Sequence, residues 1–183
     1  GVQEPLVVNW SDAGDYNNWT VSSQTQAGGY HLPTGSRIVG GIAGPNFRIL
    51  WTDVDVWAMD YVEPPLVFGF NSLGSACGLI GQHAAVVLNS TVYWMSNDKF
   101  CLLNGESVQT IPCSVWDFVF QDLDLTQTNK IYAGSNSLFG EVAFYFPSLS
   151  GGTGEVDSYV KFNVHLGVFD FGRLARSAWV DQS

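Results

Sequence analysis

Three cysteines and His83, one of three histidines, are side chains in this sequence that a metal would prefer, and their spacing decides against one. Cys77, His83, Cys101 and Cys113 match neither a CxxC nor an HxxxH pattern, so no zinc site is expected. The thiols read as small inert hydrophobes and His83 as a buried core histidine. Two carboxylate pairs, Asp53-Val-Asp55 and Asp122-Leu-Asp124, place like charges two residues apart, on one face if the segment is a strand. Such pairs can hold a cation or do acid/base work, but they also mark the solvated edge of a sheet, and the second reading is the expectation here. Gly69-Phe-Asn-Ser72-Leu-Gly74 falls short of a G-x-S-x-G elbow, and no strand-to-helix turn surrounds it to make Ser72 reactive. No dinucleotide or Walker-type glycine loop occurs. The sequence therefore implies no catalytic residues, no cofactor-binding residues and no metal ligands: not an enzyme.

Ser11-Asp-Ala-Gly-Asp-Tyr-Asn-Asn-Trp19 is similar to the Asp-box turn of sialidases, S-x-D-x-G-x-x-W, with one residue too many between Ser11 and Trp19. In that family the box is an architectural hairpin turn away from the active site. A sialidase-type site also needs clustered arginines to grip a carboxylate, and only Arg173 and Arg176 lie close together. Three N-x-[ST] triplets, at Asn9, Asn18 and Asn89, are read as coincidental in a chain rich in Asn, Ser and Thr.

Composition narrows the function class. Seventeen acidic against seven basic residues give a net charge of -10, and the bases Arg37, Arg48, Lys99, Lys130, Lys161, Arg173 and Arg176 are scattered, so no stripe exists to neutralise a run of phosphates. Only 13% of residues are charged, while 46% are hydrophobic and 14% aromatic, which favours a subunit whose surface is partly covered by partners. No apolar run approaches the roughly 18 residues that span a bilayer, and no charged-then-apolar leader opens the chain, so a soluble protein is expected. It starts at Gly1, as a processed chain or an excerpt of a longer one would.

The elements that must carry these residues are strands. Runs at 48–52, 55–62, 66–70, 84–89, 91–95, 99–103, 107–111, 115–120, 130–134, 141–146 and 159–171 are rich in β-branched and aromatic residues. Turn chemistry separates them at Asn89-Ser90, Ser96-Asn97-Asp98 and Asn104-Gly105. No helical periodicity extends over three turns, and Ser75 to Val87, broken by Gly78 and Gly81, reads as a loop entering a strand. Trp10-Ser-Asp12, Trp51-Thr-Asp53, Trp94 to Asp98 and Trp179-Val-Asp181 recur with spacings of 41, 43 and then 85 residues; Phe144-Tyr-Phe146 stands out of register in the gap, in a block lengthened by the loop 148–157. A period near 40–45 residues with four strands is the size of a propeller blade. The expected fold is all-β, a β-propeller-like array of four-stranded antiparallel blades or one part of a larger ring. Its blocks lie near 10–50, 51–93, 94–143 and 144–183, with Trp51 and Trp94 at equivalent inner-face positions.

The strings WSDAGDYNNW (10–19), GSRIVGG (35–41), FRILWTDVDVWAM (47–59), CGLIGQHAAVVLNSTVYWM (77–95), DKFCLLNG (98–105), NSLFGEVAFYFPS (136–148), DSYVKFNV (157–164) and RSAWVD (176–181) resemble the tail-hub or packaged-DNA stabilisation propellers of short-tailed bacteriophages. The resemblance covers nearly the whole chain, although family members are generally longer. It implies a structural protein of the virion tail, assembled in the host cytoplasm into a ring of copies of itself below the portal. There it would retain the packaged genome without specific DNA binding and offer a docking platform to portal, adaptor and other tail proteins, with no membrane contact. It brings no catalytic residues. The alternative is a carbohydrate-binding propeller, lectin-like or sialidase-like, acting at a cell surface.

Overall fold

The computed structural model describes residues 4–44, 47–64, 66–105, 107–176, 178 and 181. They form an all-β chain of three four-stranded antiparallel sheets and one two-stranded hairpin. The hairpin pairs β1 (Val7–Trp10) with β2 (Gly28–His31). Sheet I runs β3 (Ile38–Ala43), β4 (Arg48–Thr52), β5 (Val56–Tyr61) and β6 (Phe68–Gly74). Sheet II runs β7 (Ala85–Leu88), β8 (Thr91–Met95), β9 (Phe100–Asn104) and β10 (Ser107–Ile111). Sheet III runs β11 (Tyr132–Asn136), β12 (Glu141–Pro147), β13 (Val156–Asn163) and β14 (Val168–Arg173). Each sheet is a simple meander, its strands neighbouring in chain order. The sheets do not close into a ring among the described residues.

The turns follow from their residues. Asn89 and Ser90 both take positive φ, 49° and 64°, which is the type I′ geometry that matches strand twist in a two-residue hairpin. Gly167, at φ 67°, ends the turn that splits the apolar run 159–171 into β13 and β14. Residues 75–84 are the loop expected from Gly78 and Gly81. A side chain at either would collide with backbone, of Asp53 and Val54 for Gly78 and of Thr128 for Gly81, so this connection lies tight against both the β4–β5 turn and the segment before sheet III.

The run 115–120 is not a strand. Trp116–Phe120 forms one α-helical turn, α1, and Leu125–Lys130 a 3-10 segment. The apolar residues of 115–120 do not alternate with polar ones. Coiled, they send Phe120 onto Phe100 at 5.2 Å, Phe118 onto Phe171 at 4.0 Å and Trp116 back onto Phe120 at 5.5 Å, whereas an extended run would send half of them to solvent.

One hydrophobic core joins the three sheets. Phe100 is fully buried between Phe120, Phe144 and Phe169, linking sheets II and III. Trp51 and Trp94, both fully buried, meet edge to face at 5.5 Å and link sheets I and II. They are not equivalent positions. Trp51 pairs with Val56 across a four-residue turn, and the residue in that place of sheet II is Met95, paired with Phe100. Trp94 stands one residue earlier and so points from the opposite face of its sheet, which is what lets the two rings touch between the sheets. The tryptophans mark second strands, so the sheets span 38–74, 85–111 and 132–173 rather than beginning at 51 and 94. Trp179, the last member of the Trp–Asp series, lies outside the described residues.

Candidate functional site

The residues singled out by type end in separate places. Cys77 and Cys101 are buried; burial, with smaller electrostatic contributions, pushes their thiols up to about 11 and about 12, and burial raises Cys113 as well. Thiols held so far above neutrality carry almost no nucleophilic thiolate. His83 is not a core histidine. It is exposed, because the loop before β7 turns it outward while its backbone carbonyl accepts from Ala133 N–H at 2.8 Å. Among the described residues no group of three or more His, Cys, Asp or Glu is placed to hold a metal ion. Ser72 lies within β6, exposed and without an elbow.

Neither Asp pair shares a strand face. Asp53 and Asp55 occupy the β4–β5 turn and point to different loops: Asp53 accepts from Ser36, and Asp55, 6% exposed, accepts from Ala76 N–H at 3.2 Å. Asp122 and Asp124 lie between α1 and the 3-10 segment. Asp124 caps that segment through Thr126 N–H at 3.0 Å, while Asp122 reaches across to Ser150. The stretch Ser11 to Trp19 is a compact turn closed by Asp12 N–H to Asn18 O at 2.8 Å, and it lies between the two strands of the hairpin rather than within a four-stranded sheet.

What the fold assembles instead is a repeated carboxylate–serine latch. Four aspartates each accept both the backbone N–H and the hydroxyl of one serine: Asp53 from Ser36, Asp122 from Ser150, Asp157 from Ser148 and Asp181 from Ser137. Two of them merge around Arg173, whose guanidinium faces Asp157 at 3.2 Å and Asp122 at 3.4 Å and donates to Ser148 and Ser150. This knot ties β14 to the β12–β13 connection and to the segment after α1. Burial tends to raise Asp53, but the hydrogen bonds from Ser36 and the Arg37 backbone outweigh it and hold the carboxyl below its usual value. These are fixed, satisfied contacts with the chemistry of a fastening rather than of a reacting group.

A cleft of about 720 Å³ lies beside β11 and is lined by His83, Lys130, Tyr132, Glu155 and Arg176. Lys130 is already engaged, donating to Gly154 O at 2.7 Å and to Glu155 at 2.8 Å. Tyr132 donates to Arg176 O at 2.8 Å and stacks on Tyr145 at 4.8 Å; burial foremost, then the neighbouring Tyr145, push its hydroxyl up to about 12. The Arg176 guanidinium lies 5.8 Å from the Tyr145 ring centre. Arg173 and Arg176, close in sequence, thus serve different sites and do not form one carboxylate grip.

The bases are mostly spent on the protein's own acids. Lys99 faces Asp98 at 3.6 Å, Lys130 faces Glu155, Lys161 faces Glu141 at 3.0 Å and Asp170 at 3.8 Å, and Arg173 holds its two aspartates. No family model matches this chain, and no characterised protein matches its sequence.

Proposed function

We propose that this chain is a structural subunit of a bacteriophage tail, its sheets arranged as propeller blades in a hub or nozzle ring below the portal. In that place it retains packaged DNA and gives other tail proteins a platform. The observation that carries the reading is the disposal of charge on the β framework. The net charge is -10, and among the described residues Lys99, Lys130, Lys161 and Arg173 face carboxylates of the same chain, so a duplex passing this surface meets acid and neutralised pairs rather than a phosphate grip. The large exposed apolar side chains Tyr16, Trp19, Leu138, Phe139 and Leu166 suit durable contacts with neighbouring subunits.

The test has two halves. Labelling of purified virions with antibody to the chain should place it on the tail axis in electron micrographs. A gel-shift titration at about 50 mM salt, where phosphate contacts are strongest, should show no binding of duplex DNA. Micromolar affinity there would refute the non-sticking wall. The second reading, a carbohydrate-binding protein, is favoured by the cleft at β11, whose volume falls within the roughly 300–1,000 Å³ of ligand sites and whose lining mixes Tyr132 with polar side chains. Binding of a defined glycan that is lost in Tyr132→Ala would favour it over the tail role.

A further inference from the structure

Asn104-Gly105 is the single Asn-Gly step in this sequence. Asn104 is the last residue of β9 and pairs with Ser107, the first of β10, so Gly105 opens a two-residue turn between them. Both residues are exposed. Gly105 takes a φ of 72°, and a side chain placed on it would meet nothing within 4 Å, so the turn stands in open solvent. Among the described residues no hydrogen bond holds the Asn104 side-chain amide or the Gly105 N–H. Other asparagines are held or screened. Asn163 accepts from the His165 and Leu166 N–H groups at 3.1 and 3.0 Å, and Asn18 accepts from Thr20 N–H at 3.1 Å. Asn89 is exposed in a two-residue turn as well, but Ser90 follows it, and the serine Cβ crowds the backbone nitrogen on that side.

We propose that Asn104-Gly105 is a site of spontaneous covalent modification, where the chain converts its own asparagine to aspartate and isoaspartate. The Gly105 nitrogen gives its proton to solvent base and attacks the side-chain carbonyl carbon of Asn104. The new C–N bond closes a five-membered succinimide, while the amide nitrogen takes up a proton and leaves as ammonia. Glycine favours this closure because it has no Cβ to block the nitrogen and adopts backbone angles closed to other residues. Water then adds to either imide carbonyl. Opening on one side restores the main chain with an aspartate, and opening on the other leaves the main chain running through the former side chain, as isoaspartate. Overall one water is consumed, one ammonia is released and one carboxylate is gained. The isoaspartyl product adds a main-chain atom between the buried Leu103 and the turn. The Leu103–Val108 pair and the Asn104–Ser107 closing pair then cannot both keep their register, so β10, the edge strand of sheet II, loosens. The inference rests on the turn alone and holds whether or not the chain belongs to a phage tail.

The test ages the intact, folded chain in mildly alkaline buffer at body temperature, then reads its peptides by mass spectrometry. Labelling with an isoaspartyl methyltransferase separates isoaspartate from aspartate. Asn104 should convert at least tenfold faster than Asn89, with isoaspartate the larger product. Gly105→Ser should bring the rate down to that of Asn89. Asn104→Gln, which leaves Gly105 untouched and makes the ring closure six-membered, should stop conversion at this turn. Hydrogen exchange of the β10 amides should quicken at least threefold in the aged chain and stay unchanged in Asn104→Asp, which adds the charge but keeps the main chain. Conversion at Asn104 no faster than at Asn89, or seen only once urea has unfolded the chain, would overturn the proposal. Equal rates in the parent chain and both slowing variants would overturn it too, and β10 exchange as fast in Asn104→Asp as in the aged chain would refute the main-chain effect.

Discussion

Asp157 is the residue whose loss the structure prices most clearly. Its carboxylate accepts from Ser148 N–H at 3.0 Å, Ser148 Oγ at 2.8 Å and Ser158 Oγ at 3.0 Å, and faces Arg173 at 3.2 Å. Ser148 is 2% exposed and Ser158 fully buried, so Asp157→Ala leaves a backbone N–H and a hydroxyl in the interior without acceptors. Each such orphan costs about 1–3 kcal/mol, and the half-exposed Arg173 pair adds no more than about 1 kcal/mol. The expected loss is about 3 kcal/mol, or a fall in Tm of about 6–12 °C for a domain of this size. Asp157→Asn keeps an oxygen acceptor for Ser148 N–H and should lose only about 1 kcal/mol, and Arg173→Met, which gives up the guanidinium's own contacts but leaves the bonds from Ser148 and Ser158 to Asp157 in place, no more than about 1 kcal/mol. Urea unfolding followed by tryptophan fluorescence, with the slope m unchanged between variants, measures the series. If Asp157→Ala and Arg173→Met prove equal, or the alanine variant loses under about 1 kcal/mol, the buried-acceptor reasoning is wrong.

Phe100→Ala, emptying the ring cluster between sheets II and III, should cost about 3–5 kcal/mol by the same assay. Ser90→Gly should stabilise the chain by about 0.5–1 kcal/mol, since Ser90 holds a φ of 64° that glycine adopts without strain. Iodoacetamide at pH 8 should leave Cys77 and Cys101 unmodified in the native state, since thiols at about 11 and about 12 are ionised in about one molecule per thousand or fewer; rapid labelling of either, read by peptide mass spectrometry, would contradict the burial. Asp53, held below its unfolded value of 3.8, contributes stability that is present above that value and lost as pH falls through the lower folded value. Asp53→Asn should therefore flatten the acid limb of the stability curve below about pH 4, and an unchanged limb would remove Asp53 from the account.

The strands were legible where local rules suffice. RILWT, TVYWM and SVQTI are strands from end to end, and Asn89-Ser90 supplies its own turn. Local rules failed at 115–120, where β-prone residues coil because the neighbouring core offers ring contacts on one side only, a preference no single window of sequence contains. The phase of the repeat was misread because tryptophan is a large marker with no fixed place in the register: Met95, not Trp94, corresponds to Trp51. The latches were invisible for another reason. Asp and Ser are among the commonest turn residues, and partners 9, 17, 28 and 44 positions apart carry no local signature. Asp53 and Asp122 stand in the sequence as members of carboxylate pairs, Asp181 in the Trp–Asp series and Arg173 beside Arg176, but none of those patterns points to a serine partner.

The tight passage of residues 75–84 also bears on how the chain comes apart. Arrays of repeated sheets usually touch only their nearest neighbours, so they can fray unit by unit from an end. Here Gly78 is pressed against the turn of sheet I, Gly81 against Thr128 ahead of sheet III, and Ile80 N–H bonds Met95 O of sheet II at 3.1 Å. One linker thus registers all three sheets, and none can leave without disturbing it. Unfolding of this region should therefore be a single concerted event, and a fragment ending after β10 would lack the wall that Gly81 was shaped to meet.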